Sequence, residues 1–276
     1  MSATETTSQT GSTRSNGPGK RRRGADTARL LGLAAFAFGL SAVTSAPASL
    51  WRPALDAAGG RVTYERLDGT IWRGRAKRVV VDGTALGDID FALNPAMLAL
   101  GRASMRARVD GYAARATARI ELNAIDRSAR VREAAGVFNL ASVRRYKLLG
   151  APFSGSVKFR IDDLRWRDGK GCLTAAGEIW TDMLSAQTQG LGLGEAALHG
   201  PIACIGDDLR ISLAGANAMG SAFVNIDVRP DRTYSLSATV DADRFELRQA
   251  LELVGFRREA AGLVYDAYGP IKGLGS

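Results

Sequence analysis

The chain has 276 residues, which allows one large domain or two smaller ones, and 46% of them are apolar, which is enough to build a core. Part of its formal net charge of +9 lies in the first thirty residues, and the rest is spread along the chain as single arginines. Only 7% of the residues are aromatic, so the composition argues against nucleic-acid binding. Two cysteines and one histidine are too few for a structural zinc site, and we expect neither a metal nor another cofactor.

The N-terminal region divides into a polar tail and an apolar stretch. Residues 1–28 are rich in Ser, Thr and Gly and contain the basic run Lys20-Arg21-Arg22-Arg23, which predicts a disordered cytoplasmic tail. Residues 29–46 carry only Arg29 as a charge and are about long enough for a transmembrane anchor. The basic run before them predicts an exported body, on the side of the membrane away from the cytoplasm. Since Ala46-Pro47-Ala48 also resembles a cleavage site, a cleaved signal peptide is the alternative.

The body, residues 47–256, alternates between apolar and polar residues. Met105, Ala107 and Val109, for example, alternate with Arg106 and Arg108, and dipeptides such as Asp82-Gly83 separate the runs. This pattern predicts a mainly β, antiparallel body. Two helices are expected to interrupt it, one over Leu140–Leu149 and one from Asp243 to near Gly255. Residues 257–276 match no pattern, and we expect a poorly ordered C-terminal tail.

The body contains a hint of internal repetition. The string Gly69-Thr70-Ile71-Trp72 returns as Gly177-Glu178-Ile179-Trp180. A duplication predicts two similar β layers that bury their apolar faces on each other. Chance is the alternative, because strands with similar turns produce short matches.

The segment LDGTIWRGRA, residues 67–76, contains no group that performs chemistry. Gly69 and Gly74 indicate a turn or bulge, and Trp72 between them is expected to cover a sheet face. The alternative is a tryptophan that binds a partner protein. With His199 as the one histidine, the chain lacks the base, nucleophile and orienting group of an active site, and we expect no enzyme activity.

Cys172 and Cys204 are the two cysteines of the chain. An even number of cysteines in an exported domain predicts one disulfide, whereas in a cytosolic protein they would be free thiols.

Several features together resemble the N component of the type II secretion system. They are the N-terminal anchor, Trp51-Arg52-Pro53 after it, the 67–76 segment, Leu93-Asn94-Pro95 continuing to Gly101, and the pair Cys172 and Cys204 around Gly177 and Trp180. The resemblance implies a non-catalytic accessory protein, anchored in the inner membrane and facing the periplasm. Its partners would be other type II secretion system proteins. It also marks Gly69, Trp72, Gly74, Pro95, Gly177 and Trp180 as structural motif residues.

A lipid-handling protein of the cell envelope is the second hypothesis. Such a protein would carry acyl chains on the apolar face of a long β-sheet, so it would show a continuous apolar groove where a scaffold subunit would close its core. A secreted enzyme or inhibitor is a third hypothesis, which the missing catalytic residues disfavour.

Overall fold

The computed structural model of the chain describes residues 46–51, 62–98, 100–142, 147–148, 151–152, 154–183, 197–217, 220–253, 255–260 and 262–271. All of them belong to one compact unit, residues 46–276. The predicted tail, and the predicted anchor apart from Ala46, lie outside the described residues. Within the described ranges, no helix is long and apolar enough to cross a membrane.

β-Strands make up most of the described chain, as the alternation predicts. They are β1 (Val62–Thr63), β2 (Arg66–Gly69), β3 (Arg73–Val81), β4 (Thr84–Leu93), β5 (Arg102–Asp110), β6 (Ala114–Asn123), β7 (Ser128–Asn139), β8 (Lys147–Leu148), β9 (Ala151–Pro152), β10 (Ser156–Arg167), β11 (Gly171–Thr181), β12 (Leu198–Ile205), β13 (Asp208–Asn217), β14 (Gly220–Val228), β15 (Thr233–Ala242), β16 (Arg257–Glu259) and β17 (Gly262–Pro270).

Fifteen of these strands form one antiparallel sheet that follows the order of the chain. From β3 onward each strand pairs with the next long strand, while β1 and β2 both pair with β3, and β16 pairs with β17. The small pair β8–β9 stands apart. Short turns make this meander possible: Asp82 and Gly83, which join β3 to β4, have φ angles of 49° and 80°, as a two-residue hairpin loop requires.

The two faces of the sheet differ in chemistry. Register places apolar side chains opposite one another from strand to strand, so that they form continuous rows across the sheet. One row across β4 to β10 contains Leu93, Met105, Ile120, Val131 and Leu164. Another across β10 to β15 contains Ile161, Gly177, Ile202, Ile211, Ile226 and Leu236. The opposite face carries most of the arginines and aspartates.

Most of the apolar face is only half-buried. Of the described residues, eleven apolar ones are buried, and five of these are alanines. The rows above are mainly intermediate in exposure. Apart from the small β8–β9 pair, all strands of the described residues belong to this one sheet.

The described helices are short. They are α1 (Pro95–Leu98) and α2 (Phe245–Leu253), together with the 3-10 turns Ala48–Trp51 and Leu140–Ser142. α2 lies against β15 and β17 and confirms the helix predicted after Asp243.

The helix predicted over Leu140–Leu149 is wrong. Asn139 ends β7, and its side-chain oxygen accepts the N–H of Ala141 to begin the 3-10 turn. Lys147–Leu148 is a strand that pairs with Ala151–Pro152. A short apolar run is equally compatible with a helix and a strand, and here the pairing with Ala151–Pro152 makes Lys147–Leu148 a strand.

Two other expectations also need correction. The sheet is continuous from β1 to β17, so the prediction of two similar β layers is wrong. Alternation shows that each strand has an apolar face, but it does not show that two such faces meet.

Residues 257–270 do not form a poorly ordered tail in their described parts, since β17 pairs with β15 from Pro270 to Leu263 and β16 extends the sheet by one further strand.

Candidate functional site

The segment 67–76 forms a hairpin corner between β2 and β3. Gly69 pairs with Gly74, and the N–H of Thr70 donates to the carbonyl of Arg73 at 2.8 Å. Gly69 has a φ of 95°, and a Cβ there would lie 2.4 Å from the Arg73 carbonyl oxygen, so the tight turn requires glycine. Trp72 is half-buried within this turn.

The second motif glycine makes room for an aromatic ring. Gly74 pairs with Phe91 of β4, and a Cβ at Gly74 would lie 2.4 Å from the Phe91 Cζ. The ring therefore folds across the backbone of β3. Because a ring in this position extends over the apolar face of the sheet, the glycine shapes that face directly.

An apolar cavity of about 360 Å³ lies on this face, over β1 to β6. Leu67 and Ile71 of the corner and Phe91 form part of its wall, and Met105, Ile120 and Leu122 continue it across β5 and β6. Its volume and its almost purely apolar lining are those of a small-molecule site. The backbone groups of the lining strands are already paired in the sheet, so the lining offers a ligand almost no hydrogen bond.

Through Ala103 of β5 and Leu122 of β6, the cavity reaches the end of the sheet where β3, β5 and β7 begin, and we call this end its mouth. A second concavity of about 550 Å³ adjoins it there and shares Ala103 and Leu122 with it. Leu98, Arg102 and Arg127 also line this mouth. Pro95 is the first residue of the helix α1 near this mouth. The Asn94 side-chain oxygen caps the helix by accepting a hydrogen bond from the N–H of Ala96 at 3.1 Å.

Ion pairs link the strands on the opposite, polar face. Arg75 contacts Asp90, Arg130 contacts Asp163 at 2.5 and 2.9 Å, and Arg210 contacts Asp227 at 2.7 and 3.0 Å. The hydrogen bond from Arg130 holds the pKa of Asp163 below its usual value, against the effect of burial, and Thr174 adds a second hydrogen bond. The hydrogen bond from Arg75 lowers the pKa of Asp90 in the same way.

The polar face also contains a shallow depression of about 650 Å³ over β2 to β7. Arg73, Arg106 and Arg108 line it without an ion-pair partner among the described residues. Arg106 stands directly opposite Arg119, an unfavourable like-charge pair across neighbouring strands. The depression therefore has a local excess of positive charge.

The sequence model of the type II secretion system protein N family matches residues 60–264, more than half of the chain. The chain belongs to this family. Searches of curated proteins and of solved structures give no significant match. The matched range runs from just before β1 into β17, so the family domain of this protein N family member includes almost the entire sheet.

The remaining predicted residues of this family member lie in the second half of the sheet. Cys172 of β11 and Cys204 of β12 form a disulfide with a Cα–Cα distance of 5.6 Å. Gly177 sits between Ile161 and Ile202, and a Cβ there would lie 2.3 Å from the Arg160 carbonyl oxygen.

Trp180 lies apart from the hairpin corner. It is located on the polar face, between Lys158 and His199. Because Gly177 and Trp180 belong to a strand whereas Gly69 and Trp72 belong to a corner, the two strings are not equivalent positions.

Sequence reasoning missed the residues of the cavity and its mouth. Phe91, Met105, Ile120 and Leu122 looked like ordinary core positions, and Arg102 and Arg127 like ordinary surface charges. The available signal was a long series of strands with too few helices to cover their apolar sides. The described residues also bring together no group of three His, Cys, Asp or Glu side chains that could hold a metal ion.

Proposed function

We propose that this protein is a non-catalytic accessory component of the type II secretion system. Residues 29–46 anchor it in the inner membrane, and the sheet lies in the periplasm, where it contacts other secretion proteins. The observation that carries the proposal is the family match over residues 60–264, which coincides with the sheet. The disulfide between Cys172 and Cys204 supports the compartment, because such bonds persist in oxidising environments outside the cytoplasm.

The polar depression is the surface we assign to partner binding. Arg73, Arg106 and Arg108 leave positive charge uncompensated there, so an acidic surface of another secretion subunit would be complementary to it. Exposed charges of this kind steer association and select partners more than they add affinity.

Deletion of the gene in its host tests the proposal. We expect the deletion strain to lose specific enzymes from the culture supernatant, measured by mass spectrometry, while its outer membrane still excludes detergent and large hydrophobic antibiotics. The strain is then complemented with Arg106→Glu/Arg108→Glu, and with Lys158→Glu/Arg160→Glu on β10 as a control of equal charge change. Only the first variant should fail to restore secretion. An unchanged secretome in the deletion strain would sink the secretion role.

Lipid handling remains a second candidate function, because a specific observation favours it. A continuous apolar groove separates a lipid-handling protein from a scaffold subunit, and the sheet carries continuous apolar rows with a cavity over β1 to β6. Normal secretion together with a leaky outer membrane in the deletion strain would favour this function instead.

A further inference from the structure

We propose that the cavity over β1 to β6 binds an acyl chain of an anionic phospholipid, whose phosphate is held by Arg102 and Arg127 at the mouth. This site goes beyond the secretion role and does not depend on it. Its three parts are the apolar wall, the two arginines and the exposed apolar side chains at the mouth.

The wall favours an acyl chain over a polypeptide. The side chains that line the cavity are apolar apart from the hydroxyl of Tyr64, and the sheet already uses the backbone groups of the lining strands. A peptide inserted there would bury its own N–H and C=O groups without partners, which costs several kcal/mol for each group. An acyl chain has no such groups, and it gains from leaving water along its whole length.

The mouth favours an anionic headgroup. Many arginines of the sheet are paired, including Arg165 and Arg167, which both contact Asp126 near the same end. Arg102 and Arg127 are exposed and have no ion-pair partner among the described residues, and both line the concavity at the mouth. Arg102 is the first residue of β5 and shares the polar side of that strand with Arg106, so it approaches the mouth from the rim of the sheet. Two free guanidinium groups beside an apolar opening are complementary to a phosphate that is joined to an acyl chain.

The position of the mouth favours a bilayer as the source of the ligand. Leu98, Leu122 and Ile125 are exposed at this end by 42, 50 and 82%. Exposed apolar side chains beside arginines are typical of surfaces that dip into a lipid headgroup region.

Site-specific photocrosslinking in intact host cells tests the site with the full chain. A benzophenone amino acid replaces Met105 in the cavity wall, or Arg108 on the polar face of the same strand as a matched control. Cells are grown with radioactive phosphate and illuminated, and the purified protein is examined for a covalent phospholipid. We expect labelled adduct at position 105 and background label at position 108.

A second arm tests the arginines. Arg102→Gln/Arg127→Gln, combined with the crosslinker at position 105, should lower the ratio of anionic to zwitterionic phospholipid in the adduct about tenfold, because each arginine near an anionic lipid contributes a favourable electrostatic term. Lys158→Gln/Arg160→Gln on the polar face of β10 is the control and should leave the ratio unchanged. Disulfide formation and thermal melting, measured for each variant, report whether it folds.

Each outcome decides the proposal. Selective phospholipid adduct at position 105, with an anionic preference that requires Arg102 and Arg127, supports it. A crosslink from position 105 to another protein, or to another segment of this chain, would overturn it, because the cavity would then be covered by polypeptide. Equal label at positions 105 and 108 would also overturn it, and an unaltered lipid ratio in a folded Arg102→Gln/Arg127→Gln variant would overturn the assignment of the headgroup.

Discussion

The two glycines of the hairpin corner satisfy different physical demands. Gly69 allows a positive φ and a close approach to the Arg73 carbonyl, whereas Gly74 provides space for the Phe91 ring. The first demand belongs to the turn alone. The second connects the corner to the cavity, because the position of the Phe91 ring defines part of the cavity wall.

Replacement of Gly74 by alanine should therefore damage the cavity. The new Cβ would displace the Phe91 ring, and we expect a loss of about 1–3 kcal/mol in the free energy of unfolding, the usual range for overpacking. Lipid adduct at position 105 should fall in parallel. Gly269→Ala is the control, since a Cβ there meets Tyr234 at an ordinary 3.5 Å. Urea denaturation of both variants checks the prediction, which fails if Gly74→Ala unfolds like Gly269→Ala.

Pairs of strands are held together on the polar face by ion pairs whose strength depends on pH. Arg130 of β7 and Asp163 of β10 are about one quarter to one third exposed, so solvent screens their interaction only partly. Because hydrogen bonding lowers the pKa of Asp163 in the folded protein, the unfolded chain binds its proton more readily. The pair thus stabilises the fold above the unfolded pKa of about 4, and its contribution falls as the pH drops below that value.

Asp163→Asn should remove this contribution, about 1 kcal/mol at neutral pH as for a partly exposed ion pair. The difference in melting temperature between the wild type and this variant should be present at pH 7 and at pH 5, and it should shrink below pH 4. The neighbouring Asp162→Asn, at an exposed position, is the control and should change the melting temperature little at any pH. A difference for Asp163→Asn that stays constant down to pH 3 would rule out titration of this carboxylate as its origin.

The strands were predictable from sequence because their alternation is a local property. Residues 105–109 alternate between apolar and polar in the sequence, and the burial of their side chains in β5 alternates with the same period of two. The segment 140–149 failed because a short apolar run does not distinguish helix from strand, and the choice depended on pairing with residues 151–152. For the candidate site, the sequence indicated the glycine corner. It did not indicate that the Phe91 ring packs over Gly74 or that Arg102 lies at the mouth, because these two contacts depend on which strands become neighbours.

At the scale of the whole molecule, the number of layers was the property that sequence could not supply. Each strand has one apolar face whether the protein is a closed sandwich or a single open sheet, and the two differ only in what lies opposite that face. In the observed meander, each long strand contacts chiefly its neighbours along the chain. Stability in such a structure is approximately a sum of local terms, as in repeat proteins.

The disulfide tests this locality. Cys172 and Cys204 are 32 residues apart, and closing a loop of this length restricts the unfolded chain by about 3–4 kcal/mol in the chain-entropy model. If the sheet behaves as a series of neighbouring strands, reduction should speed amide hydrogen exchange in β10 to β13 and leave β3 to β6 nearly unchanged. Exchange measured by mass spectrometry on the oxidised and reduced full chain gives the answer. The Cys172→Ala/Cys204→Ala variant should show the exchange pattern of the reduced protein, and adding reductant should not change that pattern. Faster exchange spread evenly over all strands would mean that the sheet unfolds as one cooperative unit, and the proposed cavity would then lose its lipid whenever the disulfide is reduced.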